Sequence, residues 1–464
     1  MGKMRKPFVL PTIAVLVLAA CSGGGADRTL TTTPGATDVI VDTNDVAVGN
    51  FGGFGAEWDP YESSSSSAVP RLVRDRIGFM RLPFVRVRMF ASWYSDVNND
   101  YDFSSAAMQP LYHILDAAKA NGTDVVLTEW GQREWSKDPW PIDDPRYAKA
   151  VADGLDYFIN TRGYTNIRYI VISNEPDLFQ PSYSQWSSGI VNLHRELQAR
   201  DLLGEVRVMG PDICCTDGWW APSLADLKEQ ITAWDRHHYP DPEDVHDGAT
   251  EGFMRSVWDQ VRSSDPDWTT KPFILGEAGF QTSDKSTPGY AIDIADYAIQ
   301  ATRAGTSMMS AWMLDDESYP GGVDTDPLEF YGMWSTRASG SALKPWFYTW
   351  SLLSRLVRPG STLYLATQPT NIRVLAARHP STGTWTFVLA NRAPTPARDV
   401  NVKVPGYGGV TYSQYLFNGI DGSGPRDANG FPLPVASGQS GDLGIGITLT
   451  IPANSVAYIT ASIA

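Results

Sequence analysis

The sequence predicts an α/β fold: a (β/α)8 TIM barrel followed by an antiparallel β-sandwich. Three observations point to it. Between residues 51 and 357, short apolar runs alternate with segments of helical periodicity. From residue 358 to residue 464, only short strand-like runs remain, separated by turns rich in Gly, Pro and Asn. The length of 464 residues also suits a barrel with an accessory domain better than one ordinary domain.

The barrel is predicted from eight strand-like runs that alternate with helices. Many of these runs are continuous and rich in Val, Ile or aromatic residues, as parallel strands buried on both faces should be. The predicted strands are Gly53–Trp58, Phe84–Phe90, Asp124–Trp130, Ile167–Asn174, Val206–Pro211, Ala233–His238, Phe273–Glu277 and Ser307–Met313. The predicted helices, whose apolar residues recur three and four apart, are Ser105–Ala120, Ala291–Ala304 and, approximately, 145–162, 184–200, 222–231, 250–263 and 345–357.

The β-sandwich is predicted from short strands near the C-terminus. They are Ile372–Ala377, Thr384–Asn391, Asp399–Val404, Tyr412–Phe417, Ile447–Ile451 and Ser455–Thr460. Two further runs, Asp38–Val41 and Asp45–Val48, precede the barrel. Barrel enzymes with such a domain often borrow an N-terminal strand for it, so we expect residues 38–50 to dock on the sandwich.

The first residues have the pattern of an export signal. Lys3, Arg5 and Lys6 precede an apolar run, Phe8–Leu18, that is too short to span a bilayer comfortably. The run ends in Leu-Ala-Ala-Cys at Cys21, which resembles a bacterial lipobox; an ordinary signal peptide with a chance cysteine is the alternative. The resemblance implies a lipoprotein signal over 1–20, a lipid on Cys21 and a flexible tether over 21–37. The protein would be exported, either held at the cell envelope by this lipid alone or extracellular.

Charge and aromatic content narrow the function. Lys and Arg total 37 against 52 Asp and Glu, a formal net charge of -15, which argues against nucleic acid as a partner. The 16 tryptophans fit either a large core or a sugar-binding cleft lined by flat ring faces.

Apart from Cys21, the cysteines are the adjacent Cys214 and Cys215, in the loop after the predicted fifth strand. In an exported protein they could close a vicinal disulfide, and two reduced thiols are the alternative. Metal-ligand spacing of the CxxC kind is absent from the sequence. A disulfide there, followed by Trp219 and Trp220, would give a stiff apolar patch for a sugar.

Two glutamates end predicted strands on the face of the barrel where active sites are built. Glu175 follows the fourth strand in the triplet Asn174-Glu175-Pro176, and Glu277 ends the seventh strand. Glycoside hydrolysis needs such a pair, with one carboxyl protonated to donate to the leaving oxygen and one ionised to attack the anomeric carbon. An acyl-transfer hydrolase is disfavoured because the sequence has no G-x-S-x-G motif.

This pattern resembles clan A of the glycoside hydrolases, the retaining (β/α)8 enzymes, and is nearest the families with a C-terminal β-sandwich, such as family 30 and family 39. The resemblance covers most of the mature chain at the level of fold. It implies that Glu175 is the general acid/base and Glu277 the nucleophile of a double displacement. We expect a neutral, β-linked poly- or oligosaccharide as substrate, no cofactor, no metal and a monomeric protein.

Further residues match the family pattern. Asn174 resembles the asparagine that binds the sugar 2-hydroxyl, and His237-x-Tyr239 on strand six resembles a pair whose tyrosine contacts the nucleophile. Strand alternation places His238 on the other side, where packing is expected. Arg86 on strand two resembles the arginine that keeps the nucleophile ionised, and Arg88, of the same parity, is its rival.

Three tryptophans are candidate sugar-binding residues. Trp312 on strand eight resembles the aromatic floor under the cleaved sugar. Trp130 with Trp135 is loosely similar to the tryptophan-bearing strand-three loop of family 30, and Gly53–Ala56 is loosely similar to strand one of that family. Core or rim packing is the alternative for all three. After strand eight, five acidic residues are interpreted as a solvated loop, with Ca2+ binding as the alternative: Asp315, Asp316, Glu317, Asp324 and Asp326.

Two other functions stay open on the sequence. A transglycosylase that remodels the envelope would share every residue named above. A non-catalytic carbohydrate-binding lipoprotein would usually have lost a catalytic carboxylate, whereas both Glu175 and Glu277 are present.

Overall fold

A computed structural model describes residues 37–60, 69–130, 140–180, 182–281, 283–317 and 330–463. Several predicted features lie outside the described residues: the signal peptide, Cys21, nearly all of the tether, Trp135, Asp324 and Asp326. Within the described residues, none of the helices combines the length and the apolar character that crossing a bilayer requires.

Eight parallel strands close into a barrel, which confirms the predicted fold class. The described chain begins with strand β1 (Asp38–Val48). The barrel strands are β2 (Gly53–Glu57), β3 (Phe84–Met89), β4 (Asp124–Glu129), β5 (Ile167–Val171), β6 (Arg207–Ile213), β7 (Ala233–His238), β8 (Phe273–Ala278) and β9 (Met308–Ala311). They pair in chain order, and β2 pairs with β9 to complete the ring. Because the strands run parallel, their carboxyl ends form one rim, which is where the site lies.

Helices follow the barrel strands, as a barrel of parallel strands requires. They are α1 (Arg71–Met80), α2 (Met108–Asn121), α3 (Pro145–Asp156), α4 (Pro176–Phe179), α5 (Tyr183–Ala199), α6 (Trp220–Asp226), α7 (Pro242–Asp247), α8 (Ala249–Ser264), α9 (Pro288–Arg303) and α10 (Trp346–Leu356). Several of these helices begin at a side chain that caps the N-terminus. The side chains of Asp144, Ser182 and Thr287 each accept an N–H from the first turn of α3, α5 and α9. Of the ten, α1, α4 and α7 were not predicted.

The C-terminal domain is a mostly antiparallel sheet. Its strands are β10 (Thr362–Ala366), β11 (Ile372–Arg378), β12 (Trp385–Asn391), β13 (Ala397–Lys403), β14 (Gly409–Asn418), β15 (Ala436–Asp442), β16 (Ile447–Ile451) and β17 (Ser455–Ile463). Strand β1 lies between β10 and β13; it runs antiparallel to β10 and parallel to β13. Val39 and Val41 of β1 are buried in the core of this domain with Val400 and Ile447.

The C-terminal domain packs on α10 of the barrel. The Tyr458 hydroxyl donates to the carbonyl of Thr349 at 2.9 Å, and the Thr386 hydroxyl donates to the carbonyl of Leu356 at 3.0 Å. Phe417 also lies against Tyr348, with ring centroids 5.4 Å apart. These contacts join the domain to the helical layer of the barrel.

Candidate active site

Glu175 and Glu277, the two predicted catalytic carboxyls, meet at the carboxyl rim of the barrel. Glu277 lies near the end of β8 and is buried, whereas Glu175 stands in the bend after β5 with 17% of its side chain exposed. Glu175 has a φ of 44°, which non-glycine residues rarely adopt, and Pro176 then starts α4. One carboxylate oxygen of Glu175 lies within 4.8 Å of one carboxylate oxygen of Glu277.

His237 bridges the two carboxyls. Its Nδ1 lies 3.1 Å from Glu175 Oε1 and 3.3 Å from Glu277 Oε2, and its Nε2 lies 3.1 Å from Asp212 Oδ1. The Tyr239 hydroxyl donates to Glu277 Oε2 at 2.7 Å. His237, in β7, and Tyr239, directly after its end, both point to the site. His238, between them, instead stacks on an aromatic ring of α8.

Arg86 on β3 is buried and contacts five polar side chains, one of which is His237, whose Nε2 lies 3.4 Å from Arg86 Nη2. Its Nη1 donates to Glu277 Oε1 at 2.8 Å and to Glu57 Oε2 at 2.9 Å. Its Nη2 donates to Asn174 Oδ1 at 2.6 Å and to Asp212 Oδ2 at 3.0 Å. The flat, forked guanidinium can serve these acceptors together, which a lysine ammonium on a single stem would not. Arg86 therefore fixes Glu277 and Asn174 relative to each other.

Arg88, the alternative to Arg86 in the sequence analysis, contacts other residues. Its Nη2 pairs with Asp59 Oδ2 at 2.5 Å, and its guanidinium lies 4.3 Å from the centre of the Trp130 ring. Arg86, rather than Arg88, is thus the arginine in contact with Glu277.

Sequence reasoning did not single out three buried carboxyls of the site: Glu57, Asp212 and Asp235. Asp212 contacts Arg86 and His237, and it also accepts the backbone N–H of Glu175 at 3.4 Å. The available signal was a lone acidic residue inside or just after an apolar strand. Burying such a residue is costly unless it is paired or protonated.

Burial and neighbouring charges decide where protons are held among these three. Burial raises the pKa of Glu57 well above its usual range. Burial, reinforced by the charge of Asp212, does the same to the pKa of Asp235. Burial alone would also raise the pKa of Asp212, but the charges of Arg86 and His237 outweigh it and hold that pKa below its usual range. Burial therefore favours the protonated forms of Glu57 and Asp235, whereas the neighbouring cations favour the ionised form of Asp212.

The same competition acts on His237 and Glu277. Burial would lower the pKa of His237, but the charges of Glu277 and Asp212 raise it well above its usual range, so the imidazole is charged. Burial raises the pKa of Glu277, against the opposing charges of His237 and Arg86 and the Tyr239 hydroxyl. The positive charges of His237 and Arg86 thus favour the ionised form of the buried Glu277 carboxylate.

Trp130 and Trp312 lie together beside the carboxyls. Their rings stack with centroids 5.9 Å apart and planes 22° apart, and both are largely buried. Tyr239 and Tyr331 pack against the same cluster. The sugar-floor role of Trp130 and Trp312 stays a prediction beside the packing alternative, and Trp135 lies outside the described residues.

Cys214 and Cys215 form a vicinal disulfide at the end of β6. The two tryptophans after it behave differently from the cleft lining that their position suggested. Trp220 is buried and packs on Trp234 and Phe273, with centroid distances of 6.0 and 6.4 Å. Its assignment to the cleft is therefore wrong, because the short helix α6 turns the ring into the core. Trp219 is half-buried and packs on α5.

The interpretation of the acidic residues after β9 as a solvated loop is wrong for Asp315, Asp316 and Glu317, which are buried. Asp316 Oδ1 accepts from Lys344 Nζ at 2.6 Å and from the backbone N–H of Gly332 at 2.7 Å. The chain beyond residue 330 folds over these acids and offsets the charge of Asp316.

Two overlapping groups of side chains have the spacing of metal ligands. They are Glu175, His237 and Glu277, and Asp212, Asp235 and His237. A divalent cation at either place would lie near the Arg86 guanidinium, which would repel it, and His237 would have to give up a proton before it could act as a ligand. The arrangement suits proton transfer and carboxylate chemistry better than metal binding.

Comparisons with known proteins identify the fold. No family model and no curated protein matches the chain. Solved structures do match: a family 30 subfamily 8 xylanase from Clostridium acetobutylicum has a TM-score of 0.68 at 15% identity, covering 92% of this chain and 100% of its own. A monomeric β-xylosidase from Caulobacter crescentus has 0.64 at 14%, covering 92% and 99%. A family 51 α-L-arabinofuranosidase from Bifidobacterium longum has 0.65 at 14%, covering 92% and 100%.

Proposed function

We propose that the protein is a retaining glycoside hydrolase that cleaves a neutral, β-linked poly- or oligosaccharide by double displacement. The observation that carries the proposal is the bridge Glu175–His237–Glu277, in which one oxygen of each carboxyl lies within 4.8 Å of the other. Retaining enzymes hold their carboxyls about 5–5.5 Å apart, and inverting enzymes about 6.5–9.5 Å apart to admit a water. The short separation favours retention.

The surroundings of the two glutamates support different roles. Glu277 is buried and held by Arg86, Tyr239 and His237, so one face of its carboxylate is fixed for attack on the anomeric carbon. Glu175 is more exposed and belongs to a loop, which suits a group that protonates the leaving oxygen and later activates water. Asn174, positioned by Arg86, is placed to bind a sugar hydroxyl beside the scissile bond.

Two observations support the proposed substrate class. The similar solved structures include a xylanase and a β-xylosidase, which favours a neutral glycan. The net charge of -15 disfavours a polyanionic one. We further propose that the protein is a lipoprotein anchored through Cys21. Metabolic labelling with a radioactive fatty acid should mark the wild type and not Cys21→Ser.

The experiment is a screen of the purified protein against glycans and aryl glycosides, with product anomers read by NMR. We expect retained products, no turnover by Glu277→Ala, and activity of Glu175→Ala only on substrates with good leaving groups. Azide should rescue Glu175→Ala as a retained glycosyl azide, and the exposed control Glu229→Ala should match the wild type. Inverted products, or full activity of Glu175→Ala on a natural glycan, would contradict the proposal.

A further inference from the structure

The vicinal disulfide is bound to the loop that carries Glu175. The Asp177 carboxylate accepts three consecutive backbone N–H groups, from Cys214 at 3.2 Å, Cys215 at 3.0 Å and Thr216 at 2.7 Å. Asp177 stands two residues after Glu175, in the first turn of α4. A carboxylate that accepts three amides holds the chain on both sides of the contact.

A second set of contacts joins the same two segments. Asp212, two residues before Cys214, accepts the backbone N–H of Glu175 at 3.4 Å. The amides of Leu178 and Phe179 in turn donate to the carbonyl of Glu175. Residues 175–179 and 212–216 are therefore one unit that includes the proposed acid/base.

This unit presents an apolar surface to solvent. Leu178 is 53% exposed, Cys215 is exposed and Cys214 is half-exposed. Adjacent cysteines joined to each other close a small ring with their shared peptide, so neither sulfur can rotate away. Such a stiff, weakly polar surface suits contact with an apolar ring face and costs little entropy on binding.

The position of the unit identifies what it would contact. Trp130 and Trp312 follow β4 and β9 and stack over the part of the ring formed by β2 and β3. Strand β6, which leads into the disulfide, lies four strands from β2 in the eight-stranded ring, on the opposite side. A general acid must touch the leaving oxygen, and this surface belongs to the same unit as Glu175, so the leaving group is the part of the substrate that it can be expected to meet.

We propose that the Cys214–Cys215 disulfide and Leu178 form the binding surface for the leaving-group sugar, which stacks its apolar ring face on them. The inference rests on the proposed function and deepens it. Asp177 is the positioning residue of this surface, because it holds the disulfide against the Glu175 loop.

The test compares two substrates with the same cleaved sugar. One is an oligosaccharide, whose leaving group is a sugar; the other is the glycosyl fluoride, whose leaving group is too small to reach the surface. In Leu178→Ser and in Cys214→Ser/Cys215→Ser, kcat/KM for the oligosaccharide should fall about tenfold further than kcat/KM for the fluoride, as for other apolar sugar or side-chain contacts. The matched control is Ile463→Ser on β17 of the C-terminal domain, where the side chain is 53% exposed, as that of Leu178 is.

Reduction of the wild type provides a test that needs no refolding. A phosphine is oxidised to its oxide while the disulfide becomes two thiols, and thiol titration measures completion. The oligosaccharide-to-fluoride ratio should fall in the wild type and stay constant in Cys214→Ser/Cys215→Ser. Equal losses on both substrates, or an unchanged ratio after full reduction, would overturn the inference. If the wild type cleaves neither substrate, the proposed function fails first.

Discussion

Replacing Arg86 by Met tests the electrostatic design of the site. Methionine has a similar length but no charge, so the variant loses contacts to Glu57, Asn174, Asp212 and Glu277. A hydrogen bond to a charged group contributes about 1.5–3 kcal/mol, but these four share one positive charge and do not add. Breaking a buried ion pair by removing one partner costs about 3–5 kcal/mol, which is the expected loss in unfolding free energy at pH 7.

The loss should depend on pH. The charge of Arg86 helps to hold the pKa of Asp212 below its usual range, so this carboxylate contributes stability above its unfolded pKa and loses it as pH falls. Without Arg86, Asp212 and Glu277 take up protons more readily in the folded state. The deficit of Arg86→Met should therefore shrink as pH falls from about 7 towards about 4, near the unfolded pKa values.

Urea denaturation at several pH values measures this deficit, and the pH profile of kcat/KM measures the ionisation of Glu277. The acid limb should move to higher pH in Arg86→Met. The matched control is Arg88→Met, which also breaks a buried pair, with Asp59, but leaves the contact of Arg86 with Glu277 in place. An acid limb that moves equally in both variants, or in neither, would refute the reasoning.

Three further predictions concern the same site. Tyr239→Phe removes the 2.7 Å hydrogen bond to Glu277 and should lower kcat/KM about 10-fold to 100-fold, whereas Tyr297→Phe, whose hydroxyl donates to a backbone carbonyl, should not; equal losses would refute this. Asp235→Asn should change the unfolding free energy by less than about 1 kcal/mol, because burial already favours the neutral form of Asp235. Asp212→Asn should lower the unfolding free energy by about 3–5 kcal/mol, because it removes a buried ion pair. A larger loss for Asp235→Asn than for Asp212→Asn in urea denaturation would contradict this assignment of the neutral and the ionised carboxyl. The raised pKa of His237 contributes stability that is complete below its unfolded pKa of about 6.5 and is lost as pH rises through the folded pKa. The difference in unfolding free energy between the wild type and His237→Gln should therefore decrease above about pH 7. A difference that stays constant with pH would argue against a charged imidazole.

The fold was predictable because buried parallel strands are continuous apolar runs, and these runs located all eight barrel strands. Strand ends were less predictable. The run Ile167–Asn174 continues past Val171, where β5 ends, because its last residues are buried in a bend rather than in the sheet. Strand β15 (Ala436–Asp442) was missed because its residues are mostly Gly, Ser and polar, and the neighbouring strand β14 determines its conformation.

In the site, the alternation of side chains along each strand predicted some of the residues correctly. Alternation along a strand was enough to separate His237 and Tyr239 from His238. It could not separate Arg86 from Arg88, since both point inward and only the distance to β8 distinguishes them. Buried carboxyls such as Asp212 were missed for a related reason. A single acid at a strand end has no motif, and its role comes from partners that lie far away in the sequence.

The network around the two glutamates explains how a barrel can bury so many acids. Burial favours the protonated, neutral forms of Glu57 and Asp235, which cost less to bury than ions. Arg86 and His237 contact Asp212 and Glu277 and favour the ionised forms of these two carboxyls. At Asp212 the charges of Arg86 and His237 outweigh burial and hold the pKa of the carboxyl below its usual range. Two effects therefore make the burial of these acids possible, protonation favoured by desolvation and pairing with cations, and both act within one connected set of side chains: Arg86, His237, Glu57, Asp212, Asp235, Glu175 and Glu277.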